Sequence, residues 1–128
     1  MANYSRHYKD LLVNLTPNTI SIITEFSTVV IPPSTEIEPL RVESKEELVS
    51  WFGDFNIVKS TLGELNSDLE FIDQSLPKSE RKFYLVSRIV KTKIQELYPT
   101  LADLYFLVPN GLVRDTEGKV IGCKNLSL

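Results

Sequence analysis

A single cysteine, a single histidine and five glycines that stand singly leave little of the chemistry on which small enzymes and metal sites depend. Cys123 has no second cysteine with which to form an internal disulfide, which suits a reducing compartment. As a nucleophile it would need a lowered pKa, and its neighbours Gly122 and Lys124 do little to supply one, so a small buried strand residue is the expected role. His7 is the only imidazole and lies in an N-terminal stretch, 1–9, that is expected to be flexible. No Ser/His/Asp or Cys/His arrangement can therefore be built around an internal histidine, and a histidine-rich metal site is excluded. Isolated glycines also rule out a glycine-rich phosphate loop. No catalytic residue, cofactor or metal is expected.

Runs are missing as well. The 14 Lys and Arg residues are scattered and the formal net charge is −3, which argues against a nucleic-acid partner, because affinity for a phosphate backbone comes from clustered cations. No stretch approaches the ~20 apolar residues of a membrane span. The opening Met1–Tyr8 has no apolar core of a signal peptide, so a cytoplasmic location with no membrane association is expected. Repeats, low-complexity tracts and Gly/Ser linkers are absent, and 1–128 reads as one domain. What is present fits that reading: 42% hydrophobic and 24% charged residues over 128 positions are enough to build a core without metal or disulfide staples.

Along the chain the patterning predicts an α+β (α/β) fold. Leu11–Leu15 reads as a strand stopped by the turn Thr16-Pro17-Asn18-Thr19, and Ile20–Thr24 and Thr28–Ile31 follow as strands before Pro32-Pro33-Ser34. Together with extended segments about Pro39 these suggest an N-terminal antiparallel meander. Ser44-Lys45-Glu46-Glu47 has the form of a capping box, and Leu48, Trp51 and Phe52 share a helical face, so a short helix ending at Gly53 is predicted. Residues 54–79 read as an irregular insert with a strand near Asn56–Lys59. Arg81–Val86 is predicted as a strand, Arg88–Leu97 as a helix capped by Ser87 and ended by Pro99, and Leu104–Val108 as a buried strand. That order implies a β-α-β crossover with parallel pairing, and 112–122 closes the chain as a β-hairpin about Asp115–Gly118.

The helix start at Ser87 is the best candidate ligand site. Free N–H groups and the helix dipole attract anions there, with Ser87 and Arg88 adding a hydroxyl and a cation; a plain N-cap is the competing and commoner role. Arg114 and Asp115 could grip a phosphate and a ribose hydroxyl, or simply shape a turn. The Asn14–Asn18 loop could present polar groups to a ligand, although a turn role is favoured. Tyr84 could stack on a base, whereas Phe83 and Phe106 are expected in the core.

Several of these segments together resemble a family of small proteins from bacteriophages, prophages and bacteria. Its pattern begins N-L-T-P-H, continues through I-P-P-S, an Arg-Val pair and Tyr-[Ile/Leu]-Val-Ser, and ends V-R-D-x-x-G-x-[IV]-x-G-C-x-x-L. Here these are Asn14-Leu15-Thr16-Pro17, Ile31-Pro32-Pro33-Ser34, Arg41-Val42, Tyr84-Leu85-Val86-Ser87, and Val113-Arg114-Asp115 through Gly118, Ile121, Gly122, Cys123 and Leu126. Asn18 stands where the pattern has His, and 53–79 is longer and more polar than its counterpart. The resemblance implies a phage-linked accessory protein. By analogy, such proteins include inhibitors of host defence that bind cyclic or ADP-ribose-derived nucleotides without turning them over. On that analogy the expected ligand residues are Arg41, Tyr84, Ser87, Arg88, Arg114 and Asp115, the partner a nucleotide-like small molecule, and the assembly a homo-oligomer. A protein-binding or virion-structural module, contacting through the meander edge or the 54–79 insert, is the alternative.

Overall fold

The computed structural model describes residues 11–128; the stretch 1–9 and His7 lie outside the described residues. Short apolar runs between Pro- and Asn-containing turns form β1 (Leu12–Asn14), β2 (Ile20–Ile23) and β3 (Thr28–Ile31). Two long strands, β4 (Val42–Phe52) and β5 (Phe55–Leu65), follow. After an irregular passage come β6 (Phe83–Leu85), α1 (Arg88–Leu97), α2 (Pro99–Tyr105), β7 (Phe106–Arg114) and β8 (Val120–Ser127). The fold is mixed α+β. Among the described residues no helix is long and apolar enough to cross a membrane.

Among the described residues six strands form one sheet in the order β1-β6-β7-β8-β2-β3, and β4 and β5 pair only with each other. β6 and β7 are parallel, with Tyr84 opposite Phe106, as a β-α-β unit requires. β7 and β8 form the antiparallel closing hairpin. The expected N-terminal meander divides instead. β2 and β3 are an antiparallel hairpin, but β1 crosses to lie parallel to β6, and β2 lies parallel to β8 with Ile22 opposite Cys123. The turn after Asn14 redirects the chain rather than reversing it, because Leu15 N–H donates to Leu85 O at 2.8 Å and continues the β6 pairing.

The predicted short helix at 44–53 is a strand, and much of the supposed irregular insert is its partner. A bulge between Leu48 and Ser50 explains the misleading pattern. An extra residue in a strand returns the side chain to the same face after three positions, so Leu48 and Trp51 acquire a helical spacing without a helix. Gly53 needs positive φ, at +42°, as the first residue of a two-residue hairpin loop rather than as a helix stop.

Pro99 ends α1 as predicted, but it also starts α2, where its missing N–H costs nothing at the first helical position. Leu104 and Tyr105 consequently belong to α2, and β7 begins at Phe106. The buried side of α1 is Val90, Lys91 and Ile94, whereas Ile89 and Leu97 are half exposed. Val90 and Ile94 meet Leu15, Tyr84, Val86 and Phe106 in the core. Complete burial of Leu15, Leu85, Ile94 and Phe106 stabilises the fold by about 1.5–3 kcal/mol for each side chain.

Candidate functional site

The loop after β1 is held by one buried amide. Asn14 Nδ2 donates to Asn18 O and Ile31 O, both at 2.9 Å, while its Oδ1 accepts from Thr16 N at 2.9 Å and Thr16 Oγ1 at 2.7 Å. Both donors and both lone pairs are used, which is the full capacity of an asparagine side chain. Thr16 Oγ1 also lies 2.8 Å from Asn18 O, so its single proton can alternate between two acceptors. Ser34 N donates to Asn14 O at 2.8 Å, and Leu40 N to Leu15 O at 2.9 Å. The Pro17 bend and the Pro32-Pro33-Ser34 bend are thereby fixed to the same strand. The rigidity resides in Asn14 as much as in proline.

The same arrangement brings three predicted features to one cleft. It is about 460 Å³ in volume and is lined by Thr16, Pro17 and Asn18 of the loop, Arg41 and Val42 at the start of β4, and Ser87 and Ile89 at the start of α1, with Ile20 and Pro109 among the others. β1 and β6 are parallel and both end at this cleft, the position where open α/β sheets usually bind ligands. Ser87 Oγ accepts from Val90 N at 3.3 Å, so the N-cap role is real. Its hydroxyl proton remains for a ligand. The guanidinium of Arg41 makes no hydrogen bond or ion pair among the described residues, whereas its backbone is clamped: Arg41 N donates to Asn66 Oδ1 at 2.8 Å, and Asn66 N donates to Arg41 O at 3.1 Å.

Other predicted residues lie elsewhere. Arg88 is exposed at the first position of α1 but does not line the cleft. Tyr84 is buried in the core, its ring edge-on to Phe71 at 5.0 Å and tilted against Phe106 at 5.8 Å, and burial pushes its hydroxyl pKa up. Arg114 and Asp115 sit at the far end of β7, five residues beyond Pro109, or roughly 16 Å of extended strand. Arg114 Nη1 donates to Gly118 O at 2.9 Å. Asp115 Oδ1 accepts from Glu117 N at 2.9 Å and Lys119 N at 3.0 Å.

The closing motif is thus spent largely on folding. Gly118 carries φ of +84° in the turn, and a Cβ on Gly122 would fall 2.6 Å from Ser21 O, so only glycine lets β8 approach β2. Cys123 is buried beside it, with its thiol pKa raised by burial. Sequence patterning missed Lys91, whose Nζ donates to Ala102 O at 2.6 Å and Phe106 O at 2.7 Å and ties α1 to the end of α2. Burial lowers its pKa, partly opposed by Asp103. The one available signal was a lysine between Val90 and Ile94 on the apolar side of the helix.

Scans against protein-family models, curated proteins and solved structures return no match to this chain.

Proposed function

We propose that this chain is a non-enzymatic binder of a nucleotide-derived signalling molecule, a sponge that holds a cyclic nucleotide or an ADP-ribose derivative. The observation that carries the reading is the convergence of Arg41, Ser87, the N-terminus of α1 and the Asn14-braced loop on one cleft. About 460 Å³ falls in the range of small-molecule sites. Arg41 supplies a cation for phosphate, and the first N–H groups of α1 supply donors next to it. Asn18, exposed at the rim, offers a side-chain amide for ribose or base. Ile20, Ile89 and Pro109 provide apolar surface for a base, in the place where an aromatic ring such as Tyr84 was expected. The phage link and a role against host defence rest on the resemblance alone.

Mass spectrometry of small molecules released on denaturing the purified protein tests this reading, followed by calorimetry with cyclic dinucleotides and ADP-ribose derivatives. A released nucleotide that rebinds unchanged supports a sponge, and a converted product would make the protein a hydrolase. No released nucleotide and no heat of binding would sink the proposal in favour of a protein-binding or virion-structural module. The exposed apolar surface of β4 and β5 favours that second reading independently.

A further inference from the structure

β4 and β5 form an arm of two eleven-residue strands with apolar side chains on both faces. Cross-strand pairing and the bulge put Leu48, Trp51 and Val58 on one face and Phe52, Phe55 and Ile57 on the other. Among the described residues only the base of the arm, Val42 and Leu65, packs against the core. Trp51, Phe52 and Phe55 are 68%, 60% and 63% exposed. Taking about 150–250 Å² for a whole aromatic side chain, these three leave roughly 300–480 Å² open to water. With Leu48, Val49, Ile57 and Val58 the total over the two faces is on the order of 700 Å², more apolar surface than a monomer usually leaves uncovered. A two-stranded ribbon is also marginal in water unless a third strand or another layer covers it.

We infer that two copies of this chain associate through their arms, the tip half of one packing on the tip half of the other. The occupant follows from three features. The tip half, Leu48–Val58, contains a single charge, Asp54, so two tips meet with little like-charge repulsion, and a strongly charged partner would find almost nothing to pair with. Glu43, Glu46, Glu47 and Glu64 lie on the half next to the body, outside that contact. Among the described residues each ribbon also has two open edges, which a second copy of the same ribbon can pair. A surface this apolar needs cover as soon as the chain folds, and its own copy is always at hand. The tip half of the arm lies outside the proposed ligand contacts, so this association stands or falls separately from nucleotide binding.

Trp51 is the only tryptophan, which makes the test direct. Sedimentation equilibrium on the full chain over a wide concentration range should give a dimer, with tryptophan emission shifted to the blue and moving to the red on dilution in step with the loss of mass. Trp51→Thr with Phe55→Thr keeps strand-forming residues and should weaken dimerisation by about a hundredfold or more while circular dichroism of the body is unchanged. A monomer at every concentration overturns the inference, and so would an arm that docks on a different protein, because the chain alone would then be monomeric. A dimer whose mass survives the double substitution overturns it too. Should that variant fail to fold, wild-type emission still decides: a dimer that dissociates without any change in Trp51 emission places the interface elsewhere.

Discussion

Replacing Asn14 removes the brace of the candidate site, and the cost follows from its four hydrogen bonds. In Asn14→Ala, Asn18 O and Thr16 Oγ1 keep each other and Ile31 O keeps its β2 partner Ile20, but Thr16 N loses its acceptor in a buried place and Ile31 O loses its second donor. The orphaned N–H costs about 1–3 kcal/mol and the lost bond to Ile31 O about 1 kcal/mol more, so a loss of roughly 2–4 kcal/mol is expected. For a chain of this size that lowers Tm by on the order of 10–20 °C. Urea denaturation of wild type and variant at matched m-values measures it. A loss below about 1 kcal/mol would refute the reasoning, since water would then reach both groups and the loop would not be rigid.

Asn14→Asp sharpens the same test through pH. One carboxylate oxygen can still accept from Thr16, but the other faces Ile31 O and Asn18 O, where only a donor fits. The folded state therefore favours the protonated acid, and its pKa is raised above the unfolded value. A raised pKa gives stability that is present at low pH and lost as pH rises through the folded pKa. The variant should approach wild type near pH 4 and fall furthest behind near pH 7, and parallel pH profiles would contradict the buried clamp.

Arg41→Ala should lower nucleotide affinity at least about tenfold in calorimetry, because a charge-assisted contact to phosphate is lost, with stability changed by less than about 0.5 kcal/mol. Arg114→Ala should leave that affinity unchanged, since its guanidinium serves Gly118 O in a distant turn. For Lys91, whose pKa is lowered by burial, the unfolded chain binds more protons above the depressed value, so stability through this group rises with pH. The stability of wild type minus that of Lys91→Met, followed by urea titration, should therefore increase as pH rises toward the unfolded value of about 10.4; a constant difference would show Lys91 to be solvated. Cys123, buried with a raised thiol pKa, should react with a thiol reagent about a hundredfold more slowly in the native protein than after denaturation.

What the sequence disclosed and what it concealed divide along physical lines. Local signals were reliable where one interaction decides the backbone: Ser87 as cap, Arg88–Leu97 as helix, the Asp115–Gly118 turn, and β3 at Thr28–Ile31. They misled at 44–53 because a capping-box spelling and an i, i+3 apolar spacing are shared by a helix and a bulged strand. Pro99 was legible as a stop but not as a start, since the same fixed φ serves both. Pairings such as β1 with β6 and β2 with β8 are set by contacts far apart in the chain, and no local pattern reports them. The candidate site was half legible for the same reason. Arg41 and Ser87 could be proposed singly, but their meeting depends on Asn14, Asn66 and Lys91, each of which also bonds to a partner 11 to 27 residues away.

Arg41 is where the proposed ligand site and the arm touch. On one side it borders the cleft with Ser87 and Thr16; on the other it lines a second hollow with Glu43, Glu64 and Asn66 at the base of the arm. Asn66 closes that base, accepting from Arg41 N and donating to Pro39 O at 3.1 Å, so the backbone is fixed while the guanidinium is left to choose between two sides. An exposed carboxylate pair is worth at most about 1 kcal/mol, and less at high salt. A phosphate at the start of α1 gains charge-assisted bonds from Arg41 together with the helix N–H groups. On the proposed reading, the cleft would win the cation when an anion is bound, and Glu43 and Glu64 would compete for it when none is. On that reading the acids at the root of the arm, which lie away from the apolar tip, are expected to act on the affinity of the cleft rather than on association through the arm, so Glu43→Gln with Glu64→Gln should tighten nucleotide binding in calorimetry and leave the native mass unchanged.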